Sequence, residues 1–510
     1  MSNSATISRS QLIYGLCLPL AALIGFFLAE PLRFGTWAVL GLMASVVVWP
    51  LFSRWYHPLL IGSFHCAFVL GFLQGSPPLW FPLAFGAFVV VIFNRCLSAE
   101  VRLMPPGGVA WSLIGIAVVV VGTAFSRGGI GVKALGSASM GGKNYIYLLL
   151  AVMAYFALVS RSVPPKQALI YMGLFCLSGL TSLLSHLVYL AGGKFYWLYN
   201  FIDSDLAMGQ AAMDWDVQGL SVFRSGAMVH GASAIIGFML AWFGMGGLLN
   251  LRKPWRILIV MLCLTFGLFG GFRSFLLGVL LLLGTAFFLE GLHRTRHLVF
   301  VLTVGLVCFA GVLVFSDKLP PSVQRSLSFL PITVDAHIKD DAQGSLEWRY
   351  QMWDLLEREI PQYLALGKGY AIDPAALQAS YFNAHYGFGI QAEWAVLAGQ
   401  YHNGPLSVLI PFGIWGALAF GWFLCASLLR LRWLNRNGNP ELYNINRVLL
   451  AIFIGKIIFF VFFFGSFFSE LIDFVSVMGV AECLNGELRQ PAPEEELLPV
   501  QGAFAEEGEV

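Results

Sequence analysis

The stretch WRILIVMLCLTFGLFGGFRSFLLGVLLLLGTAFFLEGLHRTRHLVFVLTVGLVCFAGVLVF, residues 255–315, decides the fold. It holds three apolar blocks, 255–271, 274–289 and 298–315, parted by Gly270-Gly271-Phe272-Arg273-Ser274 and by a cluster containing Arg294 and Arg296. Blocks of this kind approach the roughly 20 apolar residues that a helix needs to cross a bilayer. They recur at 12–29, 34–51, 58–73, 78–95, 109–125, 145–160, 167–191, 227–250 and 405–429. A nearly unbroken apolar run at 447–482 reads either as one helix or as a hairpin bent near Ser466 to Asp473. Across 510 residues the chain is 58% hydrophobic and 11% charged, against roughly 45–50% and about 25% in soluble domains. An ordinary soluble enzyme is excluded. The expectation is an all-α polytopic membrane protein with about 12 to 14 transmembrane helices and one long, partly helical loop.

The pattern divides the chain into an N-terminal transmembrane bundle of about 11 helices (1–315), a hydrophilic loop (316–403), C-terminal transmembrane helices (404–484) and an acidic, disordered tail (485–510). With the N-terminus cytoplasmic, 15 of the 30 Lys and Arg fall in inner loops and 7 in the short outer loops. Since cytoplasmic loops carry the excess, the long loop faces outward, into the periplasm of a Gram-negative cell. The net charge of +2 and the lack of a basic stretch interleaved with aromatics exclude nucleic acid as a partner. The eight cysteines lie in or beside apolar segments without a CxxC pair, as packing residues do.

Three outward positions carry the chemistry. Arg273, followed by Ser274, interrupts an apolar run at the membrane boundary; the bland alternative is a tight turn with a snorkelling Arg. Ser345 as N-cap, Glu347 in the first turn and Pro361 at the end predict a helix over 346–360. On it Leu346, Trp353, Leu356 and Ile360 form an apolar stripe that includes Arg349, while Arg358 projects from the opposite, solvated face. A guanidinium on a buried face needs an anion, and its donor fork suits phosphate or carboxylate; the alternative is a structural ion pair. His402-Asn403, where the loop re-enters the membrane, offers a group that titrates near neutrality and can act as a base, or can simply cap a helix. Arg224 and His230 border the same side. Asp203-Ser204-Asp205 and Asp214-Trp215-Asp216 read as solvated acidic loops before metal sites, and Lys456 and His65 are ionisable groups inside apolar blocks with no role assigned.

Taken in order, Arg273-Ser274, Arg349 with Trp353, Pro361, Gly367-Lys368-Gly369 and His402-Asn403 followed by Gly413 and Gly416 resemble the O-antigen ligase and polymerase family over roughly residues 220–430. The resemblance implies a GT-C-like, inverting glycosyltransferase of the inner membrane, without a metal or other cofactor. Its donor would be an undecaprenyl-diphosphate-linked glycan, its acceptor another glycan or a lipid A core, in O-antigen or exopolysaccharide biosynthesis. By the same resemblance, Arg273 and Arg349 would bind the diphosphate and His402 would assist the acceptor hydroxyl. Arg224, Asn403, Ser274 and Trp353 complete the set of expected substrate contacts. Eleven expected spans before the loop, where ligases of the family have twelve in all, favour polymerase over ligase. The rival is a transporter or flippase for lipid-linked sugars, which would place its ionisable groups near the midplane.

Overall fold

The computed structural model describes residues 18, 21, 22, 25, 34–73, 75–97, 107–129, 141–207, 224–385 and 392–486. The expected span 12–29 (isolated positions apart), Asp214-Trp215-Asp216 and the acidic stretch 491–510 lie outside the described residues. The chain divides into two units, Met1–Tyr56 and His57–Val510. The first holds most of helix α1 (Phe34–Ser63); the remainder concerns the second.

Among the described residues the structure is helical, with only isolated bridges pairing Phe68 with Ile202 and Val69 with Pro78. The helices up to the loop are α2 (Trp80–Leu97), α3 (Gly108–Arg127), α4 (Gly142–Val159), α5 (Ala168–Leu177), α6 (Ser182–Ala191), α7 (Gly226–Leu248), α8 (Trp255–Leu268), α9 (Arg273–Leu289) and α10 (Arg296–Phe315). The loop carries α11 (Pro321–Leu327), α12 (Ala336–Tyr363), α13 (Pro374–His385) and α14 (Glu393–Leu397). After it come α15 (Gly404–Asn437), α16 (Tyr443–Phe462) and α17 (Phe467–Leu484). Among the described residues eight segments are long and apolar enough to cross a membrane, α5 and α6 counting as one, and α8 and α9 are shorter apolar helices. The protein is a multi-pass, all-α membrane protein.

Two details differ from the sequence pattern, and one choice that it left open is decided. Helix α1 occupies the place of two expected spans, 34–51 and 58–73, and the chain beyond Ser63 is irregular. There Val69 and Gly71 donate to the carbonyls of Phe201 and Asn200, so the backbone is satisfied without a helix. The run 447–482 is a hairpin: α16 ends at Phe462, and α17 starts at Phe467 with Ser466 as its extended N-cap residue. Asn485, placed by the sequence pattern in the tail, is buried and exchanges hydrogen bonds of 3.1 and 2.8 Å with Asn446.

The core forms where α17 packs on α4 and α15 on α3, with α16 against α9 and α7. Helix α10 stands apart, with no buried residue, as a segment solvated by lipid tails would.

Candidate active site

Helix α12 builds the site. It spans 28 residues and starts ten residues before the predicted 346. Ser345 is therefore not its N-cap; the first turn closes when Ile338 and Lys339 donate to the Asp335 carbonyl, both at 3.0 Å. Burial of Ile338 and Ala342 on the packed face pulls this polar first half into the helix despite weak local signals. Pro361 is accommodated in the last turn, because a single lost N–H there does not interrupt the body of the helix.

Met352 and Leu356 are fully buried against Ala392, Ala395, Val396, Tyr401 and Ile410. Leu346, counted on the apolar stripe by its spacing, is instead exposed. Arg358 is solvated and pairs with Asp354 one turn away.

The loop also docks through its backbone. Helix α15 kinks at Pro411 and at Gly413, whose φ of 63° leaves the helical region and frees carbonyls of the preceding turn. Lys368 and Gly369 donate to the Ile410 and Pro411 carbonyls at 2.8 and 2.9 Å, and Ile414 donates to Leu364 at 2.7 Å. This is the physical content of the Gly-x-Gly motif. Gly367 has φ 71°, and a Cβ there would collide with the Pro411 carbonyl. Gly367→Ala is expected to lower stability by about 1 to 3 kcal/mol, read as a lower melting temperature together with faster proteolysis between α12 and α15.

Four arginines converge at the N-terminal end of α9. Arg224 pairs with Asp341 at 2.9 Å, and Arg325 donates from Nε to the other oxygen of that carboxylate. Arg325, only 3% exposed, also donates to the Gly271 carbonyl at 2.8 Å, while Ser326 Oγ bonds Leu268, so α11 seats on the Gly270–Ser274 turn. Arg273 donates to the Ala342 carbonyl at 3.3 Å. Arg349 lies with its guanidinium 5.8 Å from the Phe464 ring centre. Burial, and then the neighbouring Arg325 charge, hold the Arg349 guanidinium below its ordinary pKa. Among the described residues neither Arg273 nor Arg349 forms an ion pair. Among the described residues, Asp341 is the carboxylate that pairs with Arg224 and Arg325, and Arg273 and Arg349 add two further positive charges beside them. Such crowding of like charges is costly until an anion enters.

His402 closes the site. Its ring lies between Trp348 and Phe464, each centroid 5.1 Å away. Its backbone has φ 47°, a left-handed conformation that non-glycine residues rarely adopt. Burial, reinforced by the Arg349 charge, pushes the imidazole down to about 4. It is therefore neutral at physiological pH and able to accept a proton.

Because the folded pKa lies below that of the unfolded chain, the stability this group contributes is complete above about pH 6.5. It is lost as pH falls toward 4. The acid limb of kcat/KM is accordingly expected near pH 4 instead of 6.5, and a pH–rate profile of Arg349→Gln should show that limb moved upward.

The remaining sequence candidates are placed as follows. Asn403 is the N-cap of α15, its Oδ1 accepting from Leu406 N–H at 3.1 Å, so its carbonyl end is committed to the helix. Ser274 is exposed at the second position of α9. Trp353 packs at the margin of the Met352–Leu356 cluster, beside Tyr350; the indole against His402 is that of Trp348. Asp203 accepts from Asp205 N–H within a turn, at 2.9 Å.

Sequence reasoning passed over Arg325, Asp341, Trp348 and Phe464. Only Asp341 carried a signal: it sits eight residues before Arg349, on one face of α12 once the helix is given its full length.

Residues 257–421 match the family described as O-antigen ligase. Over this segment, less than half of its length, the chain is similar to the O-antigen ligase family. The matched segment runs from α8 into α15 and contains Arg273, Arg325, Asp341, Arg349 and His402, whereas Arg224 and the α16–α17 hairpin fall outside it. No curated protein matches the chain.

Proposed function

We propose that the chain is an inverting glycosyltransferase of the bacterial inner membrane, its site facing the periplasm, that uses an undecaprenyl-diphosphate-linked glycan as donor. The observation that carries this reading is the excess of positive charge beside a neutral imidazole. An acceptor hydroxyl attacks the anomeric carbon from the face opposite the diphosphate. The new C–O bond forms as the bond to the phosphate oxygen breaks, and the electron pair leaves with undecaprenyl diphosphate. Arg273 and Arg349 stabilise the charge developing on that oxygen, with Arg325 and Arg224 behind them. Fixed cations can thereby fill the part a metal plays in other transferases. His402 receives the hydroxyl proton, its basicity rising when the diphosphate offsets the Arg349 field. The acceptor is another lipid-linked glycan or a lipid A core. Polymerase is favoured, although α1 replaces two expected spans and so weakens the argument from helix number.

The deciding experiment incubates the purified protein in membranes with a synthetic undecaprenyl-diphosphate oligosaccharide, wild type beside His402→Ala, and reads glycan length by gel and mass spectrometry. A ladder from wild type alone supports a polymerase, and transfer only when lipid A core is supplied supports a ligase. Inertness with every acceptor turns the reading toward a transporter of lipid-linked sugars, which the ion pair of Lys456 and Asp473 inside the bundle would then favour.

A further inference from the structure

Behind the turn that presents Phe464 lies a second group of ionisable side chains that the transfer chemistry does not use. Lys456 on α16 and Asp473 on α17 form an ion pair at 2.6 Å. Glu470, one turn before Asp473, accepts through Oε1 from Ser466 N–H at 3.2 Å and so holds the turn. His65 and His230 lie within electrostatic reach of Asp473 from two further elements. His65 donates from Nδ1 to the Phe175 carbonyl at 2.9 Å, which leaves its Nε2 as an acceptor.

All five lie deep within the bundle, yet the Lys456 and Asp473 side chains keep 31% and 28% of their surface open, and His230 is exposed. Groups enclosed at long range but open at short range line a crevice. Among the described residues, the crevice retains unused hydrogen-bonding capacity. Lys456 has two spare donors, Asp473 and Glu470 each keep one carboxylate oxygen, and the two imidazoles add further acceptors or donors.

The mixture selects the ligand class. Two carboxylates repel phosphate, which the arginines already suit, and a lysine at the centre opposes a cation. Interleaved donors and acceptors, one ammonium between two carboxylates and two imidazoles, match neutral, hydroxyl-rich groups. Glu470 and Asp473 follow Ser466 by four and seven residues, about 6 and 10 Å along α17. Phe467 N–H, bonded to Ser407 Oγ at 2.9 Å, ties this end of α17 to α15 just beyond His402.

Resting on the donor assignment above, we propose that this crevice is a carbohydrate subsite, in which Glu470, Asp473, Lys456 and His230 hold sugar hydroxyls of the lipid-linked glycan next to the diphosphate site. The test uses the full chain in lipid nanodiscs with two probes, undecaprenyl diphosphate and undecaprenyl diphosphate bearing a neutral oligosaccharide. Glu470→Gln keeps the Oε1 acceptor that holds the turn, and His230→Gln removes no ion pair. Each is expected to weaken binding of the glycan-bearing lipid about tenfold, the loss of one charge-assisted or well-placed hydrogen bond, and to change binding of the bare lipid less than about twofold. Arg349→Gln should weaken both lipids. Equal effects of Glu470→Gln and His230→Gln on the two lipids, or no effect on either, would overturn the subsite and leave the donor assignment standing. If wild type binds neither lipid, or Arg349→Gln changes nothing, the donor assignment fails and the subsite falls with it.

Discussion

Arg349→Gln is expected to lower kcat/KM for glycan transfer about a thousandfold, roughly 4 kcal/mol of transition-state stabilisation, without lowering the melting temperature. The two halves of this expectation have one cause. Arg349 is half-buried, unpaired among the described residues, and opposed by the charge of Arg325. In the free protein its charge costs folding free energy. With a diphosphate leaving group bound, the same charge meets the anion that develops in the transition state. Removing it therefore harms catalysis while relieving the folded state. A thermal melt beside the kinetics separates this account from a structural one, in which activity and melting temperature would fall together. Glutamine at 349 also removes part of the field on His402, so the acid limb should rise in the same variant.

Asp341→Asn is expected to behave in the opposite way, costing about 3 kcal/mol of stability and, with it, the ordered loop. The carboxylate is shared by Arg224 and Arg325, and Arg325 is almost wholly enclosed. An amide keeps the shape but leaves a buried guanidinium without its counter-charge, which is the costly half of a broken ion pair. Arg325 in turn holds the Gly271 carbonyl, two residues from Arg273, so the damage passes to the position of Arg273. The double variant Arg325→Leu/Asp341→Leu should regain much of the melting temperature, because the enclosed Arg325 charge is removed together with its counter-charge. It should not regain transfer, since the positive field is reduced. A double variant as unstable as Asp341→Asn would show that packing around α11, and not the charge, sets the stability.

The membrane architecture was legible because hydrophobicity in 16- to 25-residue blocks is a local property of the chain. The α16–α17 break was legible only as one of two options: the aromatic run 459–464 gives no sign of a turn until Ser407 takes the Phe467 N–H and Glu470 the Ser466 N–H. Arg273, Arg349 and His402 stood out because a charge or an imidazole in or beside apolar sequence is anomalous in itself. Spacing selected Trp353 over Trp348, although both pack on the inner side of α12. Contact with the loop re-entry at His402 selects Trp348.

By itself, then, the sequence determined a polytopic helical protein, a loop between α10 and α15, and three polar positions that stand out from their surroundings, all readable from composition within single segments. Only the tertiary structure decided which charges neutralise one another. Asp341 lies 117 positions from Arg224 and 16 from Arg325, and Phe464 reaches His402 from the far side of two helices. Electrostatic balance depends on distance in space, and no spacing along the chain encodes it.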